Sequence, residues 1–397
     1  MKTMIKLSML AAAVAAGCSQ AATVDEQIGA ALKGGEAKVL LRYRYEYVDE
    51  DGKAETAGAS TLKSRLGWTS GAVGGVKALF EIDNVSVIGG EQYNSTVNGL
   101  TQYPVVADPE ATVVNQAALQ WSSETASVTA GRQRLIHSNE RFLGSVAWRQ
   151  LEQNFDAVRL TATPSKAFSA DYSYSWRVNT VFGPDSAQGH RDGNVHALYA
   201  GWTPAEGHTL AGFGYLLDFD DFAALSSNSY GIEYIGSFSP LLGLRASVAS
   251  QSDAADAPVR YDALYYLLEA NSTLAGITFS AGYEVLGSDN GVKAFATPLA
   301  TLHKFQGFAD KFLSTPTTGV RDLYVGASGK LGKFGYGLSW HDYTADHGGA
   351  DYGSEINAVA TYGVTKYLTL MAKYASYSRD ELFTDTDKGW VMATVSF

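Results

Sequence analysis

Apolar and polar residues alternate with a period of two along almost the whole chain, and this constrains the fold more than any other feature. From Glu36 to Tyr47 the odd positions Ala37, Val39, Leu41, Tyr43, Tyr45 and Tyr47 are apolar or aromatic, while the even ones include Lys38, Arg42, Arg44 and Glu46. Val76, Ala78, Phe80 and Ile82 alternate with Lys77, Leu79, Glu81 and Asp83, and Phe168 to Trp176 oppose Ser169, Asp171, Ser173, Ser175 and Arg177. Ile277 to Val285 and Phe334 to Trp340 repeat the pattern. Successive side chains on a strand point to opposite faces, so each segment is a strand with one greasy and one polar side. After Ala21 no apolar run reaches the roughly 18 residues of a helical membrane span.

Tight turns at Gly71 to Gly75, Pro164-Ser165-Lys166, Pro204 to Gly207, Ser239-Pro240, Leu331-Gly332-Lys333 and Gly363 to Lys366 alternate with longer polar stretches at 48–59, 84–111, 137–152, 179–192, 220–227, 252–259, 287–319, 345–351 and 379–386. Long and short connections therefore fall on opposite rims. Strands are expected at 36–47, 60–70, 75–83, 112–122, 125–136, 153–163, 167–178, 193–203, 208–219, 228–238, 243–251, 260–271, 276–286, 320–330, 333–344, 352–362, 367–378 and 387–397. The fold class that follows is all-β: a transmembrane antiparallel β-barrel of about 18 strands, the closed form that satisfies every backbone group in lipid. The 47 aromatics are weighted toward Tyr (23 Tyr, 17 Phe, 7 Trp), which suits an interface, and those of the last two segments lie toward the segment ends, as interfacial girdles require.

Lys2 and Lys6 flank the apolar run Leu7 to Gly17, and Ser19-Gln20-Ala21 supplies the small residues of a cleavage site. We expect residues 1–21 to be a signal peptide and 22–397 the barrel. A lipid anchor at Cys18 is the rival reading, but Ala15 stands where that motif carries Leu. With one Cys the chain builds neither a disulfide framework nor a thiolate metal site. A formal charge of −11 disfavours nucleic acid as a partner. The C-terminal strand ends on Phe397, read as a signal to the barrel-assembly machinery. The expected location is a Gram-negative outer membrane, with its lipid bilayer as partner.

Two segments resemble a known family. Gly131-Arg132-Gln133-Arg134-Leu135, Glu140-Arg141-Phe142-Leu143-Gly144, Trp148-Arg149-Gln150 and Phe155 to Leu160 form one; Thr301 to Phe312, Thr315-Pro316 and Gly319 to Tyr324 form the other. Both resemble the alginate-export family of outer-membrane barrels. That resemblance implies an eighteen-stranded pore whose lumen arginines and lysines carry a polyuronate outward, gated by extracellular loops and a periplasmic turn.

The residues support an anionic solute on their own chemistry. Alternation aims Arg42, Arg44, Lys63, Arg65, Lys77, Arg177, Arg245 and Lys373 inward, and the first resembling segment adds Arg132, Arg134, Arg141, Arg149 and Arg159. Arg132 and Arg134 share parity with Val128 and Ala130, so their inward facing requires a bulge near Gly131. Asp156 is expected to orient Arg149 or Arg159. A guanidinium fork matches carboxylate, so an Arg-lined pore favours anionic saccharides or organic acids. Glu46, Glu81, Asp83, Asp171, Glu233, Glu269, Glu284 and Glu355 also point inward. Each inward Arg therefore has an alternative role, as a salt bridge bracing the wall.

The stretch 137–152 carries Phe142, Leu143, Val146 and Trp148 and is expected to fold inward as a constriction. The stretch 287–319 is too long for a plain connection and is expected to plug or cover the barrel, with Lys304 and Lys311 simply solvated. The function expected is a porin passing polyuronate or its oligosaccharides, with diffusion of small acids or sugars as the alternative. A hydrolase barrel is the reading from another class, but the seven His are scattered without an HExxH or GxSxG motif. No catalytic residue, cofactor or metal is therefore assigned, although His341, Asp342, His347 and Asp351 lie close in sequence.

Overall fold

The computed structural model describes residues 23–239 and 241–397, so the expected leader lies outside the described residues. The strands are β1 (Glu36–Glu50), β2 (Ala57–Thr69), β3 (Val76–Val87), β4 (Ala111–Ser122), β5 (Ala126–Gln133), β6 (Asn154–Ser165), β7 (Phe168–Asn179), β8 (His190–Ala205), β9 (His208–Phe219), β10 (Ser227–Ser239), β11 (Leu242–Asp253), β12 (Asp262–Leu274) and β13 (Ile277–Leu286). A ribbon of β14 (Ser288–Asp289) and β15 (Lys293–Ala294) follows, then β16 (Val320–Leu331), β17 (Phe334–Thr344), β18 (Asp351–Gly363), β19 (Leu368–Arg379) and β20 (Thr386–Ser396). Eighteen of these form one antiparallel sheet. Within it β1 pairs with both β2 and β20, Arg42 lying opposite Lys63 on one side and Thr394 on the other. That last pairing closes the barrel and leaves no free edge. Each expected strand matches an observed one to within four residues at either end.

The alternation sorts side chains as the pattern requires. Tyr43, Leu66, Phe80, Leu119, Leu160, Leu198, Ile232, Leu268, Leu338 and Ile356 stand exposed on the outer face, an apolar belt suited to hydrocarbon. Trp121, Trp202, Phe334, Tyr362, Tyr367 and Phe397 ring the rim of short turns. Between them in sequence, Arg44, Glu46, Thr61, Lys63 and Asp83 are fully buried inside. Burial of this polar set needs an explanation, because an eighteen-stranded barrel with an empty lumen would leave it wet. The residues 134–153 and 287–319 supply one: both connections fold into the barrel and pack against its wall.

Besides short 3-10 turns at Ala223–Leu225 and Leu302–Lys304, one element among the described residues departs from the all-strand reading. A helix, α1 (Val24–Lys33), precedes β1. Thr23 caps it in a reciprocal box: the Glu26 N–H donates to the Thr23 hydroxyl, and the Thr23 N–H to the Glu26 carboxylate at 2.9 Å. No helix among the described residues is long and apolar enough to cross a membrane.

Candidate permeation pathway

The cations of β1 and β2 hold the first infolded loop. Arg42 donates from Nε to Gln150 Oε1 at 2.9 Å and from Nη1 to the Ala147 carbonyl at 3.0 Å, and its Nη2 reaches the Arg149 carbonyl. Arg44 donates to Asp108 at 3.0 Å and to the Trp148 carbonyl. Carbonyls at the tip of a loop have no strand partner, and two guanidinium forks supply one. Lys63 and Arg65 bind Asp83 at 3.1 and 2.6 Å and Glu152 at 3.4 and 2.7 Å, and Arg134 joins Glu152 and Glu81. Arg149 returns from the loop to Glu46 at 3.1 Å and Asp310 at 3.2 Å.

The opposite wall of the lumen is aromatic. Phe142 packs on Phe213 at 4.7 Å and Tyr265 at 5.1 Å. Fully buried Arg141 ties this face to the second infolded loop. Its Nε meets Glu284 at 2.7 Å, Nη1 donates to Thr297 at 2.8 Å, and its guanidinium lies 4.8 Å over the Phe305 ring. The two loops also bond directly, the Gly144 N–H to the Leu299 carbonyl at 2.9 Å and the Thr301 N–H to the Glu140 carbonyl at 3.0 Å. Gly307 adopts φ +79° where a Cβ would collide with the Glu355 carboxylate, and Ala309 N–H donates to that carboxylate at 2.8 Å. Only a residue without a side chain fits this approach.

Two chambers border the infolded loops. The outer one, about 590 Å³ on the long-loop side, is lined by Glu50, Arg149, Arg191, Asp310, Lys311 and Lys388 among others. The inner one, about 340 Å³, lies against Trp148, Phe308, Lys373, Lys304 and Glu140. His303 borders both. Its ring stacks on Trp148, a wall of the inner chamber, at 4.2 Å with 6° between planes, so the indole backs the residue that the two chambers share.

Partners fix the state of His303. Nδ1 donates to Asp310 at 2.7 Å, and Nε2 accepts from Lys373 Nζ at 2.6 Å, which requires a neutral ring. Burial, aided by Lys373, pushes the imidazole down to about 3. Burial alone would raise the Asp310 carboxyl, but His303, Lys388 and Arg149 together hold it well below the usual range. Folding therefore lowers proton affinity at both groups. His303 contributes stability that is full above its unfolded value of ~6.5 and is lost as pH falls toward 3, with Asp310 adding to the loss below ~4. Acidification from about pH 7 to about pH 4 is expected to loosen the 287–319 loop, read as faster proteolysis within it; a cleavage rate independent of pH would contradict the assignment.

The sequence-predicted residues divide into three groups. Arg42, Arg44, Lys63, Arg65, Arg134, Arg141 and Arg149 converge on the infolded loops, and their charges are largely spent on bracing. Arg159 pairs with Asp171 at 2.9 Å, Arg245 with Glu233, Lys373 lies 3.2 Å over the Phe308 ring, and Lys77 stands exposed near the short turns. Arg132, Asp156 and Arg177 are corrections. Pairing of β5 with β6 runs without a slip from Ala126 to Gln133, so Arg132 keeps the outward parity of Val128 and Ala130. In β7 the register shifts at Trp176, which turns Arg177 out of line with Ser173 and Ser175 and leaves Val178 buried in its place. Asp156 then binds Arg132 at 2.7 Å rather than Arg149 or Arg159, and Arg177 binds Asp192 at 2.5 Å. Lys304 and Lys311, expected to be solvated, bind Glu140 at 3.2 Å and Glu50 at 2.9 Å. The sequence reading passed over Arg191, Lys388, Asp108, Glu152, His303 and Asp310, all chemistry-bearing groups that only the infolding brings to the pathway.

Among solved structures the chain is similar to OccAB4 of Acinetobacter baumannii, with a TM-score of 0.73 and 13% identity over 91% of this chain and 98% of that one. It is similar also to OccK9 (OpdG) of Pseudomonas aeruginosa, at 0.72 and 15% over 92% and 99%. Pseudomonas aeruginosa OpdK solved with vanillate matches at 0.71 and 13% over 92% and 99%. No protein-family model and no curated protein matches the chain. At these identities the likeness is one of fold, the eighteen-stranded barrel of the Occ and Opd outer-membrane porins. The alginate-export resemblance is met at that coarser level only.

Proposed function

We propose that this chain is an outer-membrane channel of a Gram-negative cell that passes small carboxylate-bearing solutes. The outer chamber carries the reading: Arg149, Arg191, Lys311 and Lys388 line it against Glu50 and Asp310. Arg191 has no ion-pair partner among the described residues. Its Nη1 donates to the Pro298 carbonyl at 3.0 Å, its Nε is buried without a partner, and its guanidinium lies 5.9 and 5.8 Å over Phe219 and Phe222. A desolvated guanidinium without a counter-charge is costly, and an arriving carboxylate offsets that cost. Phe182 lines the chamber together with that guanidinium, and a flat ring near a lone guanidinium suits an aromatic acid, the class of the vanillate in the OpdK structure.

An alginate-like polyuronate, or its oligosaccharides, is the second reading. The inner chamber favours it, because Lys373 and Lys304 extend the run of cations past the His303 boundary. It requires both infolded loops to withdraw, since chambers of about 590 and 340 Å³ hold small molecules rather than a polymer. Phe397, whose backbone pairs with Val39 at the closing seam, supports recognition by the barrel-assembly machinery.

Planar-bilayer recording tests these readings. Anion-biased reversal potentials and block by benzoate are expected. Arg191→Ala should weaken that block about tenfold or more, the loss of one charge-assisted contact. Arg177→Ala, on the outer face, should leave it unchanged. Block by oligouronates without block by benzoate would favour the polymer, and a cation-selective pore indifferent to both would remove the proposal.

A further inference from the structure

We propose that α1 is a membrane-surface element, lying along the outside of the barrel with its apolar stripe in the boundary between headgroups and acyl chains of the inner leaflet. Val24, Ile28 and Leu32 recur every four residues, so they share one face of the helix. They are 54%, 46% and 57% exposed, in the range of the lipid-facing belt, where Leu66 is 52% and Phe80 43% exposed. Glu26 and Lys33 lie on the far side of the wheel, with Asp25 flanking the stripe.

The placement of the helix argues for lipid. Gly71 N–H donates to the Ala31 carbonyl at 2.9 Å, which fastens the helix to the short turn between β2 and β3. Gly35, just past the helix, approaches the Trp68 indole so closely that a Cβ would sit 2.4 Å from Nε1. Trp68 pairs with Ala37 and Phe80 in the outward row, on the face opposite buried Lys63. The chain therefore leaves the helix against the outer surface, at the level of the girdle formed by Trp121, Trp202, Tyr362, Tyr367 and Phe397. An amphipathic helix at that level continues the belt rather than facing water, and aromatic girdles mark the depth at which such helices lie. The occupant of the stripe is then phospholipid, not a protein partner.

Spin labels report this directly. Full-length chain carrying Cys18→Ser is labelled singly at Ile28→Cys, Leu32→Cys, Glu26→Cys or Lys33→Cys and refolded into phosphatidylethanolamine–phosphatidylglycerol vesicles, with heat-modifiable gel mobility confirming the barrel. Labels at 28 and 32 should collide with dissolved oxygen and be shielded from a water-soluble nickel chelate, and labels at 26 and 33 should show the reverse. Nickel access at 28 and 32 equal to that at 26 would place the stripe in water and overturn the proposal. Exclusion of both reagents there would show a protein covering it, whether a second copy or another chain, and would overturn it equally. Neither result bears on what the pore passes.

Discussion

Replacing Trp148 by Ala is expected to raise the single-channel conductance severalfold and to weaken discrimination among solutes. The indole walls the inner chamber and backs His303, the residue that borders both chambers: it stacks on His303 at 4.2 Å, meets Trp390 edge-on at 5.8 Å, and carries Arg44 and Lys373 at 4.3 and 4.2 Å from its ring centre. A ring removed from an apolar core leaves a dry hole, but here the hole is bordered by an ammonium and a guanidinium, which bring water in. A hydrated gap between two existing chambers becomes a continuous path. The surroundings do not depend on the indole to stay in place, because His303 is held by Asp310 and Lys373, and Arg44 by Asp108. Trp148→Phe keeps a flat apolar wall and should conduct close to the parent. An unchanged conductance in Trp148→Ala would mean that solute passes elsewhere, along the polar groove that Arg245, Glu269 and Asn271 line on β11 and β12.

Strand number, boundaries and the two infolded loops were legible because each depends on short-range information. Alternation follows from backbone geometry, residue by residue, and a long connection rich in Phe and Trp has few places to go but inward. The partners inside the lumen were not legible in the same way. Arg42 and Gln150 are 108 positions apart and Arg141 and Gln306 are 165 apart, so nothing near Arg42 in sequence announces that its fork will hold another loop's carbonyls. Carboxylates such as Glu46, Glu81 and Asp83 did announce that the cations would find partners, and bracing is where most of their charge goes. Arg177 was misread for a narrower reason: parity held as far as Ser175, and the register shift at Trp176 accompanies Gly193 on the neighbouring strand, at φ +152°. Arg191 was missed because the stretch 179–192 reads as polar loop, whereas β8 begins at His190 and draws that guanidinium in. In α1, the mid-helix Gly29 and only three large apolar residues leave little periodic signal, and the capping box at Thr23 was the one local sign of a helix.

Arg141→Ala should release both infolded loops while the barrel stays closed. The side chain is 2% exposed and satisfies Glu284, Thr297 and Gln306, the last at 3.3 Å. Truncation leaves the Glu284 carboxylate inside with Tyr265 as its remaining donor on the wall, at 2.7 Å. Breaking a buried pair from one side costs about 3–5 kcal/mol, which lowers the ratio of docked to undocked loop by roughly two to four orders of magnitude. The sheet does not share that cost, since its closure rests on the backbone ladder between β1 and β20 and on seventeen other strand pairings that Arg141 does not enter. Heat-modifiable gel mobility should therefore match the parent, while limited proteolysis cuts within 134–153 and 287–319 and the recorded current flickers between a parent-like level and a larger one. Arg141→Lys keeps the charge but not the fork, and should give an intermediate cleavage rate. Protease resistance and a steady parent current in Arg141→Ala would locate the docking energy in the Gly144–Leu299 and Thr301–Glu140 backbone bonds instead, which that substitution leaves intact.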